Sequence, residues 1–377
     1  MNILITGGAG FIGSNLALKL VAEGNTVTVL DNLSPQIHGA NAEEESVLFN
    51  TIKNKVTFIH GCVTNRQSWL TAIANNEVIV HLAAETGTGQ SMYLIKKYTD
   101  INIAGTALML DILANEKHGV KKVVIASSRA IYGEGQYLSK TMGNVYPLAR
   151  SSKNLLAGNF EVTYQNLNET LQLVPTTEDA KIHPSSVYGI TKQNQEQMVM
   201  TVCPTIGIAG VALRYQNVYG PGQSLSNPYT GILSIFSTQI KNNLPINIFE
   251  DGEESRDFVF ISDVVEATYL AIIKHEANNQ IFNVGSGVAT TVNTVANTLV
   301  NHYKINVPIT ITGNFRLGDI RHNFADINKI KLALNFIPTV NFNDGTKQFC
   351  NWVNGQKIEV SKYEWSLQEL KAKGLMQ

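Results

Sequence analysis

The stretch that most restricts what this chain can become is GGAGFIG at 7–13, set between the apolar run NILIT at 2–6 and the helical pattern IGSNLALKLVAEG at 12–24. Glycines recur every third residue at 7, 10 and 13, and Gly8 opens a second G-x-G-x-x-G register. Such a turn lets a strand pass tightly into a helix and lets backbone approach a pyrophosphate, whose charge the helix N-terminus attracts. Glycine also serves ordinary turns that need positive φ, so the flanking order has to decide. Asp31 ends a second strand, TVTVLD at 26–31. A carboxylate there accepts hydrogen bonds from both hydroxyls of an adenosine ribose and repels a 2′-phosphate. Alone it reads as a surface-turn aspartate before Asn32. Strand, glycine turn, helix, strand and acid in that order predict a dinucleotide site, with NAD favoured over NADP.

The alternation continues through KVTFIHG, VIVHLAA, KKVVIASS and IAGVALRY, with amphipathic helical patterns between most of them. That rhythm predicts an α/β Rossmann fold, a doubly wound parallel sheet, over residues 1–215, broken by an insertion at about 135–183 that is rich in Asn, Ser and Thr. From 216 to 377 short strands, turns and a few helices predict a smaller C-terminal mixed α/β substrate domain that completes a cleft, with some segments crossing back. The 377 residues are 44% hydrophobic and 16% charged, enough to bury about three quarters of the unfolded surface. A net charge of −1 without basic or acidic blocks gives no footprint for nucleic acid or a membrane surface, and points to a small-molecule partner. Cys62, Cys203 and Cys350 show no C-x-x-C spacing, so no disulfide framework or zinc knuckle is expected, and a reducing compartment is. The start MNILITGG lacks the regions of a signal peptide, and no apolar run spans a bilayer, so a cytoplasmic location is expected.

The chemistry-bearing motif is HPSSVYGITKQNQEQ at 183–197, where Tyr188 and Lys192 stand four apart and share one helix face. A lysine there can bond a nicotinamide ribose and, together with a cationic nicotinamide ring, lower the phenol's pKa so that it serves as a base. Y-x-x-x-K by itself is a common solvated face. Its place downstream of a nucleotide turn and of Ser128, in SSRAIYG at 127–133, makes it a candidate catalytic set.

These motifs together, with NIAGT at 102–106, NVYGPG at 217–222, SRDFVFISDV at 255–264 and RLGDIRHNFADI at 316–327, resemble the extended short-chain dehydrogenase/reductases that act on nucleotide sugars. The resemblance implies a catalytic Ser128, Tyr188 and Lys192. It implies NAD contacts from Gly7, Gly10, Phe11, Ile12, Gly13, Asp31, Asn32, Val63, Leu82, Ala83, Ala84, Asn102, Tyr188 and Lys192. Asn217, Arg256 and Arg316 resemble residues that hold the diphosphate of a nucleotide-diphosphate sugar, a task suited to arginine's fixed fork of donors. The bland alternative pairs each arginine with a neighbouring aspartate, Asp257 or Asp319. Thr88, Gln90, Ser91 and Arg129 are further candidates at the sugar, although Thr88 and Ser91 equally suit helix capping. His81 reads as a packed structural histidine.

Arg129 and Ala130 narrow the reaction. The 4,6-dehydratase branch places Asp and Glu after its catalytic Thr, and the decarboxylase branch a Glu where Ala130 stands. The resemblance therefore implies an epimerase: transient oxidation at C4 to a 4-keto sugar, then hydride return to either face. PQIHG, SSRAIYGEG, QSLSNPYTGI and GDIRHNFADI look like the bacterial branch that converts dTDP-L-rhamnose to dTDP-6-deoxy-L-talose. UDP-hexose or UDP-N-acetylhexosamine 4-epimerisation, CDP-sugar 2-epimerisation, 4-ketosugar reduction and a non-enzymatic nucleotide sensor stay open. The insertion has no cysteine, so no metal is expected. Cys62 stands where relatives carry an adenine-binding acid, which leaves Val63 to flank that ring. Relatives dimerise through helices equivalent to TALMLDILANE and TKQNQEQMVMTV, so a homodimer is expected.

Overall fold

The computed structural model describes residues 1–165, 167, 169–225, 227, 229, 231–358 and 363–376. Seven parallel strands form the central sheet in the order Gln280–Val284, Ala209–Tyr215, Lys122–Ser128, Val78–His81, Asn2–Thr6, Thr26–Asp31, Thr57–His60. The winding reverses between Asn2–Thr6 and Val78–His81, and at such a point the loops beyond the strand ends diverge and leave a crevice.

Both faces of the sheet are covered, which is why its strands are nearly unbroken apolar runs. Alternate residues face opposite layers. Ile3, Ile5 and Val124 pack beneath helices Phe11–Ala22 and Ile261–Ile273, while Leu4, Val123 and Ile125 pack beneath Gly105–Asn115 and Val187–Thr205. All six of those strand residues are fully buried. Lys122 at the start of its strand donates through Nζ to the carbonyls of Ala271, Ile272 and Lys274 at 3.2, 2.9 and 2.9 Å, satisfying the C-terminal end of helix Ile261–Ile273.

The rest of the C-terminal part forms small sheets beyond the strand ends. Ser255–Phe260 pairs with Asn217–Tyr219, Ala289–Thr291 and His322–Asn323, and Ile246–Ile248 pairs with Ile309–Ile311. Within 135–183 lies a three-stranded antiparallel sheet, Tyr137–Ser139, Gly143–Val145 and Gln172–Leu173, over its own small core of Tyr137, Val145, Val162 and Leu171. Helix Tyr363–Ala372 lays Leu367 and Leu370 against Tyr93, Ile235 and Phe249. No helix among the described residues is long and apolar enough to cross a membrane.

Candidate active site

A cleft of about 1070 Å³ follows the carboxyl ends of the parallel strands and is closed on its far side by residues of the C-terminal part. At one end lies the glycine turn. Helix Phe11–Ala22 starts behind Gly10 with no side-chain cap, so its first N–H groups are free for an anion. A Cβ on Gly7 would sit 2.7 Å from the Ala83 nitrogen and one on Gly13 2.4 Å from the Gly7 carbonyl oxygen, so this close approach of turn, helix and neighbouring loop requires glycine. Asp31 lies at the cleft wall, 8% exposed. Its Oδ2 accepts the Ala9 N–H at 3.0 Å and its Oδ1 the Leu33 N–H at 2.9 Å, tying the acid to the turn it serves. Phe11, Ile12, Asn32, Cys62, Val63, Leu82, Ala83 and Ala84 also line the cleft. An uncapped helix start, a glycine cradle and a buried-edge carboxylate together fit a dinucleotide.

At the cleft's middle, strand Lys122–Ser128 delivers Ser128 and helix Val187–Thr205 delivers Tyr188 and Lys192. The helix begins here for local reasons: Ser186 caps it by accepting the Gly189 N–H at 3.1 Å, and buried Ser91 accepts the Tyr188 N–H at 3.0 Å. Gly189 lets the helix lie against the turn Arg129–Tyr132, because a Cβ there would be 2.6 Å from the Ala130 carbonyl oxygen. Farther along, Glu196 accepts two bonds from Arg214, at 3.0 and 2.6 Å, and one from Ser127 at 2.6 Å. These buried ties lock the helix to the two strands beside it.

Burial raises the pKa of Tyr188, while a hydrogen bond with Ser128 and the charge of Arg129 pull it down. Lys192 stands one helix turn along from the phenol. Its Nζ lies 6.0 Å from the tyrosine ring centre and donates to the Ala126 carbonyl at 2.9 Å, and burial lowers its own pKa to about 7. Arg129 is a second cation beside the phenol. Arg129 donates to Asn217 Oδ1 at 3.1 Å, and burial with the nearby Arg256 charge holds it below the ordinary guanidinium value.

Three predicted residues stand elsewhere. Asn102, Gln90 and Ser91 do not line the cleft. Asn102 sits on a π-helical turn, Thr99–Ala104, and binds protein: its Oδ1 accepts the Glu85 N–H at 2.8 Å, and its Nδ2 donates to the Glu85 carbonyl at 3.1 Å and to Thr191 Oγ1 at 2.9 Å. It joins the loop after strand Val78–His81 to the tyrosine helix. Gln90 accepts from Gln36 at 3.2 Å, and Ser91 holds Tyr188. Thr88 does line the cleft. His81 is fully buried, and burial lowers its pKa to about 3. Thr106 donates to the Asn102 carbonyl at 2.6 Å, so its oxygen must accept from His81 Nε2 at 3.0 Å, and Nδ1 then accepts from Thr6 at 2.7 Å. His81 is a neutral bridge between Thr6 at a strand end and Thr106 in the first turn of helix Gly105–Asn115.

At the far end Asn217, Arg256 and Arg316 line the cleft. Arg316 pairs with Asp319 at 3.0 Å, the bland alternative, yet still faces the cavity. Arg256 makes no pair with Asp257, whose carboxylate is taken up by Ser286, Gly287 and Ala325. Its guanidinium donates instead to the carbonyls of Ser255, Ile320 and Arg321.

A family model described as NAD dependent epimerase/dehydratase family matches residues 3–153 and 162–285. The chain belongs to that family. It is 35% identical over 93% of its length to a dTDP-L-rhamnose 4-epimerase of Burkholderia thailandensis, covering 94% of that protein. It is 30% identical to a putative UDP-glucose 4-epimerase of Methanocaldococcus jannaschii, over 93% of this chain and 98% of the other. Among solved structures, the UDP-glucose 4-epimerase of Thermotoga maritima with UDP-glucose superposes with a TM-score of 0.75 at 30% identity, over 94% of this chain and 99% of that one. The enzyme is an isomerase of the NAD-dependent nucleotide-sugar epimerase class, and NAD is its cofactor.

Proposed function

We propose that the enzyme is a 4-epimerase of a nucleotide-diphosphate sugar, converting dTDP-L-rhamnose to dTDP-6-deoxy-L-talose. The observation that carries the reading is the meeting of Ser128, Tyr188 and Lys192 at the cleft, with Arg129 and a buried Ala130 directly after Ser128, leaving no carboxylate at those two positions for dehydration. The relative acting on dTDP-L-rhamnose supports the choice of sugar.

Residues 1–215 hold most of the cofactor, and residues from 216 onward hold the diphosphate. NAD, when bound, supplies the acceptor and donor of the hydride at C4. Tyr188 Oη takes the proton of the C4 hydroxyl and later returns it, and Ser128 Oγ hydrogen-bonds the same oxygen. Arg129 stabilises the phenolate that burial disfavours. Lys192, whose Nζ donates to the Ala126 carbonyl, would hold the nicotinamide ribose. Asn217, Arg256 and Arg316 grip the diphosphate, so the sugar can turn about that anchor while the nucleotide stays in place.

Helices Gly105–Asn115 and Val187–Thr205 form the contact of a homodimer in this reading, with Ile190 45% exposed on the second of them. Cys62, Cys203 and Cys350 are free thiols, in keeping with a reducing, cytosolic setting. The test is proton NMR of the enzyme with dTDP-L-rhamnose, UDP-glucose and UDP-N-acetylglucosamine. Interconversion of the first with its C4 epimer, without net change in nicotinamide absorbance, is the expected result. Turnover of a UDP-sugar alone, or stoichiometric consumption of NADH, overturns it.

A further inference from the structure

The diphosphate arginines are only as well placed as the backbone of 319–321, because Arg256 spends its guanidinium on the carbonyls of Ile320 at 2.7 Å and Arg321 at 2.9 Å. That backbone is gripped from beneath. Glu134 Oε2 accepts the Arg321 N–H at 2.6 Å, and Arg150 Nη2 donates to the Asp319 carbonyl at 3.0 Å. Arg150 also forms a bidentate pair with Glu250 at 2.8 and 2.7 Å, donates to the Phe160 carbonyl at 2.9 Å, and has its Nε 3.4 Å from Glu134. Its side chain is 3% exposed.

The Arg321 side chain continues the same network. It reaches Glu250 at 3.0 Å, Asp251 at 2.7 and 2.8 Å, and Glu161 at 2.8 and 2.6 Å. Arg150 and Glu161 both come from the 135–183 segment, while Glu250, Asp319, Ile320, Arg256 and Arg316 line the cleft.

We infer that Arg150 is a positioning residue for the nucleotide diphosphate, and that the 135–183 segment acts on substrate affinity by bracing the loop that aims Arg256 and Arg316. The inference rests on the reading of Arg256 as a diphosphate ligand. A buried arginine fork that ties one carboxylate and two backbone carbonyls at once cannot be copied by lysine, whose point charge serves one partner well. Unlike a brace that merely stabilises, this one ends on the Asp319 carbonyl, directly before the Ile320 and Arg321 carbonyls that aim Arg256.

The experiment uses the NAD-loaded enzyme and measures the dissociation constants of dTDP and UDP by calorimetry for wild type, Arg150→Lys, Glu161→Gln and Arg256→Gln. Bound NAD, and kcat at saturating dTDP-L-rhamnose, are measured beside them. Arg150→Lys is expected to weaken binding of the tighter nucleotide about tenfold, the scale of one lost hydrogen bond to a charged group, with bound NAD and kcat changed less than about threefold. Glu161→Gln, which removes one partner of Arg321 at the exposed rim, should weaken binding in the same sense and is the folded comparison if Arg150→Lys is unstable. Unchanged nucleotide affinity in both variants, or a fall in kcat at unchanged affinity, overturns the inference. If Arg256→Gln itself leaves nucleotide affinity unchanged, it is the diphosphate reading of Arg256 that fails.

Discussion

Ser91 separates two pictures of the site, one in which it touches sugar and one in which it holds the catalytic tyrosine. Its hydroxyl donates to the Thr88 carbonyl at 2.6 Å and accepts the Tyr188 N–H at 3.0 Å, and the residue has no exposed surface. Ser91→Ala removes the acceptor and leaves a buried N–H unpaired in the first turn of helix Val187–Thr205, at a cost of about 1–3 kcal/mol. The turn can recover part of this by shifting, and any shift moves the phenol relative to Ser128. If the full cost falls on the transition state, kcat drops between about fivefold and about 150-fold. Epimer formation followed by NMR over a range of dTDP-L-rhamnose concentrations gives kcat and KM separately, and release of bound NAD from denatured enzyme checks that the cofactor is kept. A fall in kcat at nearly constant KM is expected. A raised KM at wild-type kcat would return Ser91 to the sugar pocket and refute the positional account.

Gly189→Ala places a methyl 2.6 Å from the Ala130 carbonyl oxygen, so we expect a loss of about 1–3 kcal/mol in stability and a reduced kcat; a variant melting and turning over like wild type would contradict the packing described. For His81 the pKa is lowered to about 3 from 6.5. The unfolded chain therefore binds a proton that the native state refuses between those values, and the native state loses stability as pH falls through that window. Denaturant titrations from pH 7 to 4 should show wild type losing more stability than His81→Gln; parallel curves would mean that the histidine titrates freely. Asp31→Asn keeps a hydrogen-bonding side chain but removes the charge facing the cleft, so NAD retained after gel filtration should fall and the preference for NAD over NADP narrow, as read by equilibrium dialysis; an unaltered preference would remove the acid from cofactor selection.

The parallel sheet was readable because its signals are local: apolar runs of four to seven residues, glycines at a strand end, and helical periodicity between them. Tyr188 and Lys192 could be paired from spacing alone, since one helix turn sets their relation. Ser91, Asn102 and Arg150 could not. Each acts through a partner far away in the chain, Tyr188, Thr191 and Glu250 respectively, and a serine, an asparagine or an arginine in a polar stretch carries no periodicity that names a distant partner. Ser186 was legible in principle, as a serine just ahead of a helical run. The electrostatics around Tyr188 were legible only in part: spacing reveals a neighbouring lysine, but not the burial that raises the phenol or the Arg129 charge that pulls it down.

Strand Gln280–Val284 closes the sheet beside Ala209–Tyr215, although about 65 residues of the C-terminal part intervene, which synthesis at roughly 5–20 residues per second would take several seconds to cross. Until it emerges, Ala209–Tyr215 offers an unpaired apolar edge to whatever strand comes near. A nascent chain of this enzyme is thus most prone to stick to its neighbours on the ribosome just before its last parallel strand appears, and a fragment ended near residue 215 would carry that hazard permanently.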